Sequence, residues 1–171
     1  FASTLYFAPR LDKGIFIGVG LSLLFYLYKG MRPKVSSLSP GKDGTLHDAS
    51  GHGLKPCPYI ELIRFSGPLF FPNASYLEET ISEHRKVRKD LRHILIVANG
   101  INDIDTTGAD ALSLIVDRVR SGGVDISLCG LTTPVRQALK QTGLLTRIGQ
   151  DHIFPNIDQA LCAIYEQAHG E

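Results

Sequence analysis

The stretch ILIVANGINDIDTTGADALSLIV, residues 94–116, decides the fold of this chain. Its first four residues are consecutively apolar, which predicts a strand buried on both faces of a sheet. From about Ala109 the apolar residues recur at helical spacing, and Leu112, Ile115 and Val116 share one stripe. A strand therefore passes into an amphipathic helix, and Asp105-Thr106-Thr107-Gly108 forms the turn between them.

Two interpretations of this turn are open. A small hydroxyl residue at a helix start faces anions and is open to modification, because the free backbone N–H groups attract negative charge. The same residues also suit ordinary helix capping, and Thr107 and Asp110 have the spacing of a Thr-x-x-Asp capping box. The sequence favours the cap.

Strands and helices alternate on both sides of this stretch. Four further strands are predicted, at residues 59–65, 69–71, 124–128 and 153–154. Three further helices are predicted, with starts at a Ser75 capping box, at Thr133 and at Asn156. The turn Gly67-Pro68 makes the first two strands a hairpin. This order predicts an α/β fold, a mixed and mostly parallel sheet with helices packed against it.

The N-terminal part carries an uncharged apolar run at residues 14–28. The run is a little short of the roughly 20 apolar residues that span a bilayer, but Lys13 and Lys29 can extend from its ends. We expect residues 1–33 to be the end of a transmembrane region, with its last helix at about residues 13–29. A buried core helix, a cleaved signal peptide and an isolated membrane anchor are the alternatives, and the absence of a cleavage site argues against the signal peptide.

The residues that flank this apolar run predict its orientation in the membrane and the organisation of the rest of the chain. Three basic residues follow it closely: Lys29, Arg32 and Lys34. The positive-inside tendency then places the rest of the chain in the cytoplasm. Residues 34–57 are rich in Ser, Gly and Pro and predict a linker, and residues 58–171 predict one globular domain. Residues 1–9 are also apolar and suggest the tail of a longer membrane protein.

The sequence contains few residues in patterns that are typical of catalytic sites. The sequence has no metal-ligand cluster, no glycine-rich dinucleotide loop and no nucleophile elbow, so we expect no enzyme, cofactor or metal. The net charge of +1 gives no reason to expect nucleic acid. Asp103, Asp105 and Asp110 could do acid–base work or bind a divalent cation. Because acidic residues are favoured at helix starts, the structural role is the stronger interpretation.

Three segments, in order, resemble one family. Residues 65–74 resemble the opening hairpin of a STAS domain (sulfate transporter and anti-sigma-factor antagonist) of SulP-type anion transporters. Residues 104–112 resemble the strand-to-helix signature of that family, and residues 11–28 resemble the last transmembrane helix of those transporters. The resemblance implies a STAS-like cytoplasmic domain with a regulatory or assembly role, attached to a secondary transporter of sulfate-type anions.

The resemblance also implies a modification and partners. In soluble anti-sigma-factor antagonists the second hydroxyl residue of Asp-Ser-Ser-Gly is phosphorylated, and this position aligns with Thr107. The implied partners are the transporter's own transmembrane domain, a second copy in a homodimer, the membrane, a regulatory protein and a nucleotide. The alternative function is a membrane-anchored phospho-switch or nucleotide-binding signalling domain. In either case the regulatory residues are Asp105, Thr106, Thr107 and Gly108.

A basic run at residues 84–93 is the second candidate surface. Five of its cations are candidates for contact with anionic lipid headgroups: Arg85, Lys86, Arg88, Lys89 and Arg92. Cations are also stabilised near a helix C-terminus by the helix dipole, so a solvated helix end is the plain interpretation.

Overall fold

The computed structural model describes residues 11–30, 33–40, 46–48 and 57–169, and the chain divides into two compact units, Phe1–Arg32 and Pro33–Glu171. The first unit contains helix α1, Leu11–Gly30, whose apolar side chains are largely exposed. No helix in the described part of the chain is both long and apolar enough to cross a membrane. The predicted span at residues 13–29 is therefore not confirmed.

The second unit is built on one six-stranded sheet. Its strands are β1 Lys34–Pro40, β2 Leu46–Asp48, β3 Ile60–Ser66, β4 His93–Gly100, β5 Asp125–Cys129 and β6 Ile153–Phe154. They lie in the order β2-β1-β3-β4-β5-β6. Strand β1 is antiparallel to both of its neighbours, whereas β3 to β6 run parallel to one another. The predicted mixed, mostly parallel sheet is confirmed.

Helices cover both faces of the sheet. Those described in this unit are α2 Phe71–Val87, α3 Thr106–Ser121, α4 Thr133–Gln141, α5 Leu144–Ile148 and α6 Ile157–His169. The larger core lies between one face and helices α2 to α5. The smaller core lies on the other face, where α6 contributes Ala160, Ile164 and Ala168. Residues of β4 alternate between the two cores, which confirms that this strand is buried on both faces.

The predicted linker at residues 34–57 is partly wrong. Strand β1 occupies its first seven residues and pairs with β3, so that Leu38 lies opposite Leu62. Leu38 is buried in the smaller core. The strand was hard to recognise because three of its seven residues are Ser and only Val35 and Leu38 are apolar. Strand β2 occupies a further part of the predicted linker.

The predicted hairpin after Gly67-Pro68 is wrong. Leu69 forms only an isolated parallel bridge with Ile104, and α2 begins at Phe71. The antiparallel partner of β3 is instead the preceding strand, β1. The apolar residues that suggested a second strand belong to the entry of a helix, because short apolar runs are compatible with either element.

The predicted capping box at Ser75 is also wrong. Helix α2 starts one turn earlier, with Phe70 as N-cap and Pro72 in the first turn. Proline suits that position because its fixed φ is helical and its missing N–H has no intrahelical partner there. Ser75 lies inside the helix, where its hydroxyl donates to the carbonyl of Phe71 at 3.1 Å.

In the C-terminal half the observed helix starts agree more closely with the sequence predictions. Asn156 caps α6 as predicted, because its Oδ1 accepts the Gln159 N–H at 2.9 Å. Helix α4 begins at Thr133 with Thr132 as its N-cap. Helix α5 was not predicted, since five residues are too few to show a helical period.

The segment after β3 is bonded to the turn that precedes α3. The Leu69 N–H donates to the carbonyl of Asp103 at 2.8 Å, and the Leu69 carbonyl accepts the Asp105 N–H at 3.4 Å. In the first turn of α3, a Cβ added to Gly108 would lie 2.0 Å from the carbonyl oxygen of Leu69. Only glycine fits this approach, which fixes the start of α3 against the entry of α2.

We expect Gly108→Ala to destabilise the domain by about 3 kcal/mol or more, because the new methyl group meets backbone that cannot rotate away. The matched control is Gly123→Ala, where a Cβ would meet nothing within 4 Å and only the positive φ of 76° opposes the change. That control should cost about 1–2 kcal/mol. Urea unfolding measures both, and equal losses would contradict the steric explanation.

Candidate functional site

The turn before α3 is held by a side-chain cap on Asp105. This residue is the N-cap, and its Oδ1 accepts the N–H of Gly108 at 2.6 Å. The hydroxyl of Thr107 donates to the same carboxylate, at 2.8 Å to Oδ1 and 3.0 Å to Oδ2. The predicted Thr107–Asp110 capping box is therefore wrong in its residues, although a helix cap does occupy the turn.

The turn presents its hydroxyl groups to solvent. Asp105, Thr106 and Thr107 are exposed, whereas Gly108 is buried. A phosphate on Thr107 would gain from the free N–H groups at the start of α3. It would also lose the bond to Asp105 and be repelled by that carboxylate. A phosphate at this exposed hydroxyl would therefore be attracted by the backbone N–H groups of α3 and repelled by the carboxylate of Asp105.

The acidic residues near the turn have structural partners. Asp103 Oδ1 accepts the N–H of Ile104 at 2.9 Å, and Asp105 caps α3 as described. Asp110 is exposed. In the described ranges no group of three His, Cys, Asp or Glu side chains is placed to hold a metal ion. A structural role therefore explains Asp103 and Asp105, two of the three acidic residues in this cluster.

Helices α2 and α3, which pack against each other, each carry an exposed apolar side chain. Phe71 starts α2 and is 63% exposed, and Leu114 of α3 is 61% exposed. Leu114 lies two helical turns from Thr107 on the same stripe. Farther along that stripe Arg118 forms an ion pair with Glu78 of α2, which lies two turns from Phe71. We call these five residues the α2–α3 seam.

The basic run at the end of α2 is largely engaged within the protein. Arg85 donates to the Gly122 carbonyl at 3.2 Å, and Arg88 forms an ion pair with Glu61. Arg92 donates to the Ala168 carbonyl at 3.0 Å and stacks over the ring of Tyr59. Of the five predicted lipid contacts, Lys86 and Lys89 are exposed and make no such bond to the residues that the structure describes.

A polar cluster on the α6 face of the sheet was missed by the sequence analysis. His93 Nε2 lies 3.0 Å from Ser127 Oγ, which lies 3.1 Å from His152 Nδ1. His152 Nδ1 is 3.5 Å from Asp125 Oδ2, and Arg120 Nε donates to Asp125 Oδ1 at 3.0 Å. A usable signal was the alternation of Asp125 and Ser127, which puts two polar side chains on one face of β5.

Burial controls the titration of this cluster. Desolvation lowers the pKa of His93 to about 4, against the opposing effect of the Asp125 charge. Burial alone would raise the pKa of Asp125. The Ile126 N–H, His152 and Arg120 outweigh burial and leave that pKa below its usual 3.8. Because Ser127 is fully buried, its hydroxyl cannot reach an external substrate. The cluster is therefore a hydrogen-bond network with a structural role.

A second missed cluster surrounds a buried carboxylate. Glu61 of β3 is 1% exposed and contacts Arg88 and His84 of α2, the latter at 2.7 Å. It also accepts a hydrogen bond from Ser37 of β1 at 2.5 Å. The sequence signal was a charge on the face of β3 that carries Ile63. A buried carboxylate requires such partners, because an unpaired charge in the interior is strongly destabilising.

The sequence matches the model of one protein family, described as STAS domain, over residues 58–160. A protein named "Probable sulfate transporter 4.2" from Arabidopsis thaliana is 23% identical over 171 residues, covering 93% of this chain. A probable sulfate transporter of Mycobacterium tuberculosis is 27% identical over 164 residues, covering 91% of this chain. The chain spans only 25% and 29% of the lengths of these two relatives.

Solved structures share the fold. The murine Slc26a9 anion transporter in its inward-facing state matches 97% of this chain and 27% of its own, with a TM-score of 0.78 and 20% identity. The STAS domain of a SulP transporter from Vibrio cholerae matches 71% of this chain and 92% of its own, with a TM-score of 0.58 and 19% identity. The unphosphorylated anti-sigma factor antagonist SpoIIAA has a TM-score of 0.53 at 13% identity, over 66% of this chain and 93% of its own.

We expect the stability of the protein to fall as the pH drops from 6.5 towards 4, because unfolded His93 binds a proton that the folded protein excludes. A pKa lowered from 6.5 to about 4 makes this loss about 3 kcal/mol. The stabilising effect of Asp125 is lost only at still lower pH, since its folded pKa lies below 3.8.

The variant His93→Gln keeps a polar partner for Ser127 but does not titrate. Its unfolding free energy, measured by urea denaturation at a series of pH values, should vary less than that of the wild type in this window. The same pH dependence in both proteins would contradict the assignment to His93.

Proposed function

We propose that this chain, which belongs to the STAS domain family, is the C-terminal cytoplasmic regulatory or assembly domain of a membrane transporter for inorganic anions of the sulfate type. One observation carries the proposal: the alignments with sulfate transporters run through more than nine tenths of the chain, beyond the domain itself.

We further propose that residues 1–33 are the end of the transporter's membrane region. In support, α1 exposes apolar side chains along its length. The basic residues that follow α1 favour a cytoplasmic position for the domain by the positive-inside tendency. The bond from Ser37 to the buried Glu61 fixes β1, the strand that follows this region in the sequence, within the sheet.

The α2–α3 seam is the proposed contact surface, for a regulatory protein or for a second copy in a homodimer. Exposed aromatic and aliphatic side chains surrounded by polar groups are typical of protein contact sites. Phe71 and Leu114 supply the apolar part, while Thr107 and the Arg118–Glu78 ion pair supply the polar rim. No catalysis is proposed here, because the carboxylates of Asp103 and Asp105 are engaged by backbone N–H groups.

A phospho-switch is the second candidate function, and one specific observation favours it. The Thr107 hydroxyl is exposed at the start of a helix of sixteen residues, where a phosphate finds free N–H groups. Its addition would break the bond from Thr107 to Asp105 and weaken the cap. In this form of the proposal, phosphate alters the seam by loosening the first turn of α3. A nucleotide phosphate would meet the same opposing charge from Asp105.

Sulfate uptake tests the main proposal. The full-length protein that contains this chain is expressed in cells without their own sulfate permeases, and uptake of labelled sulfate is measured. We expect uptake, and we expect Leu114→Asp to reduce it several-fold at equal protein level, because the partner in the proposed contact would bury the new charge against apolar groups. The control is Val87→Asp, since Val87 is 83% exposed outside the seam.

The outcomes separate the parts of this proposal. A full-length protein that takes up no labelled sulfate would contradict the proposed sulfate-type transporter. Equal uptake by the Leu114→Asp and Val87→Asp variants would contradict the α2–α3 seam as a contact surface. Mass spectrometry of the protein purified from the same cells addresses the second candidate. Phosphate on Thr107 would support the switch, and an unmodified Thr107 under all uptake conditions would count against it.

A further inference from the structure

A cleft lies beside β6, away from the turn before α3. It is lined by side chains of α4, of α5, of the segment leading into β6 and of β6 itself: Arg136, Lys140, Leu145, Thr146, Gln150 and Ile153. Its volume is about 560 Å³. Pockets of 300–1,000 Å³ are typical of sites that take small organic ligands.

The cleft contains two cations that have no acidic partner among the described residues. Arg136 and Lys140 are one helical turn apart on α4, so their side chains project from the same face. Both are exposed, and neither side chain is bonded to a carboxylate or carbonyl of the described residues. Arg147 of α5 differs, because its Nε donates to Asp117 at 2.9 Å. No carboxylate is among the described lining residues, which leaves the cleft with two positive charges.

The rest of the lining suits a ligand with both polar and apolar parts. Thr146 and Gln150 are exposed and supply a hydroxyl and an amide as hydrogen-bond donors. Leu145 and Ile153 are partly buried and pack against the larger core, so they form a fixed apolar floor. An inorganic ion alone would leave this floor without a partner.

We propose that this cleft binds an oxyanion group, a phosphate or sulfate, carried on a small organic molecule. The Arg136 guanidinium is suited to bidentate contact with two oxygens of such a group, and Lys140 supplies the second charge. The carrier would lie on Leu145 and Ile153. The site shares no residue with the α2–α3 seam. Its test is therefore independent of the test of the proposed function.

Isothermal titration of the purified 171-residue chain in detergent tests this site at low ionic strength, where charge interactions are least screened. The probes are phenyl phosphate, inorganic phosphate and inorganic sulfate. We expect saturable binding, with phenyl phosphate bound most tightly. Arg136→Gln and Lys140→Gln should each weaken that binding by about tenfold or more. Lys89→Gln, which removes an exposed cation elsewhere, should leave it unchanged.

The probes also distinguish the source of the group. Equal affinity for phenyl phosphate and inorganic phosphate would support an oxyanion site that takes the free ion and overturn the organic carrier. No saturable binding of any probe at millimolar concentration, or equal weakening by Lys89→Gln, would overturn the site itself. Thermal unfolding of each variant serves as the folding check, since exposed substitutions should leave it nearly unchanged.

Discussion

The backbone of Leu69 and the first turn of α3 approach so closely that only a glycine fits between them. A methyl group on Gly108 would lie 2.0 Å from the Leu69 carbonyl oxygen. The same Leu69 is bonded on either side, to Asp103 and to Asp105. Two crossover segments of the parallel sheet are thereby fixed to each other at one point. The start of α2, the start of α3 and the exposed seam between them all depend on this contact.

This constraint explains why the turn before α3 is held in place by the fold and is still accessible to solvent. Asp105 is committed to the cap through Gly108 and Thr107, so its carboxylate stabilises the helix start. Thr107 adds a bond but remains at the surface. A modification or a partner can therefore act on the hydroxyl without entering the core. The buried contacts of Glu61 provide a separate connection, from β1 to α2.

The sequence alone predicts the helices and strands in which apolar residues follow a clear pattern. Strand β4 and helix α3 are long and strongly patterned, and both are confirmed. Strand β1 is not predictable in this way, because a segment rich in Ser resembles a loop and because its pairing with β3 is a long-range contact. The capping box was assigned to the wrong residues because Asp105 and Thr107 are both good N-caps. Tertiary partners, such as those of Glu61 and His93, cannot be read from spacing along the chain.

The central claim is that this turn is a structural cap whose Thr107 hydroxyl is dispensable for folding and thus free for regulation. Urea unfolding of Asp105→Ala and Thr107→Val tests it most directly. The account predicts a loss of about 1–2 kcal/mol for Asp105→Ala, because the N-cap is removed, and a change within about 0.5 kcal/mol for Thr107→Val. A larger loss for Thr107→Val than for Asp105→Ala would contradict it.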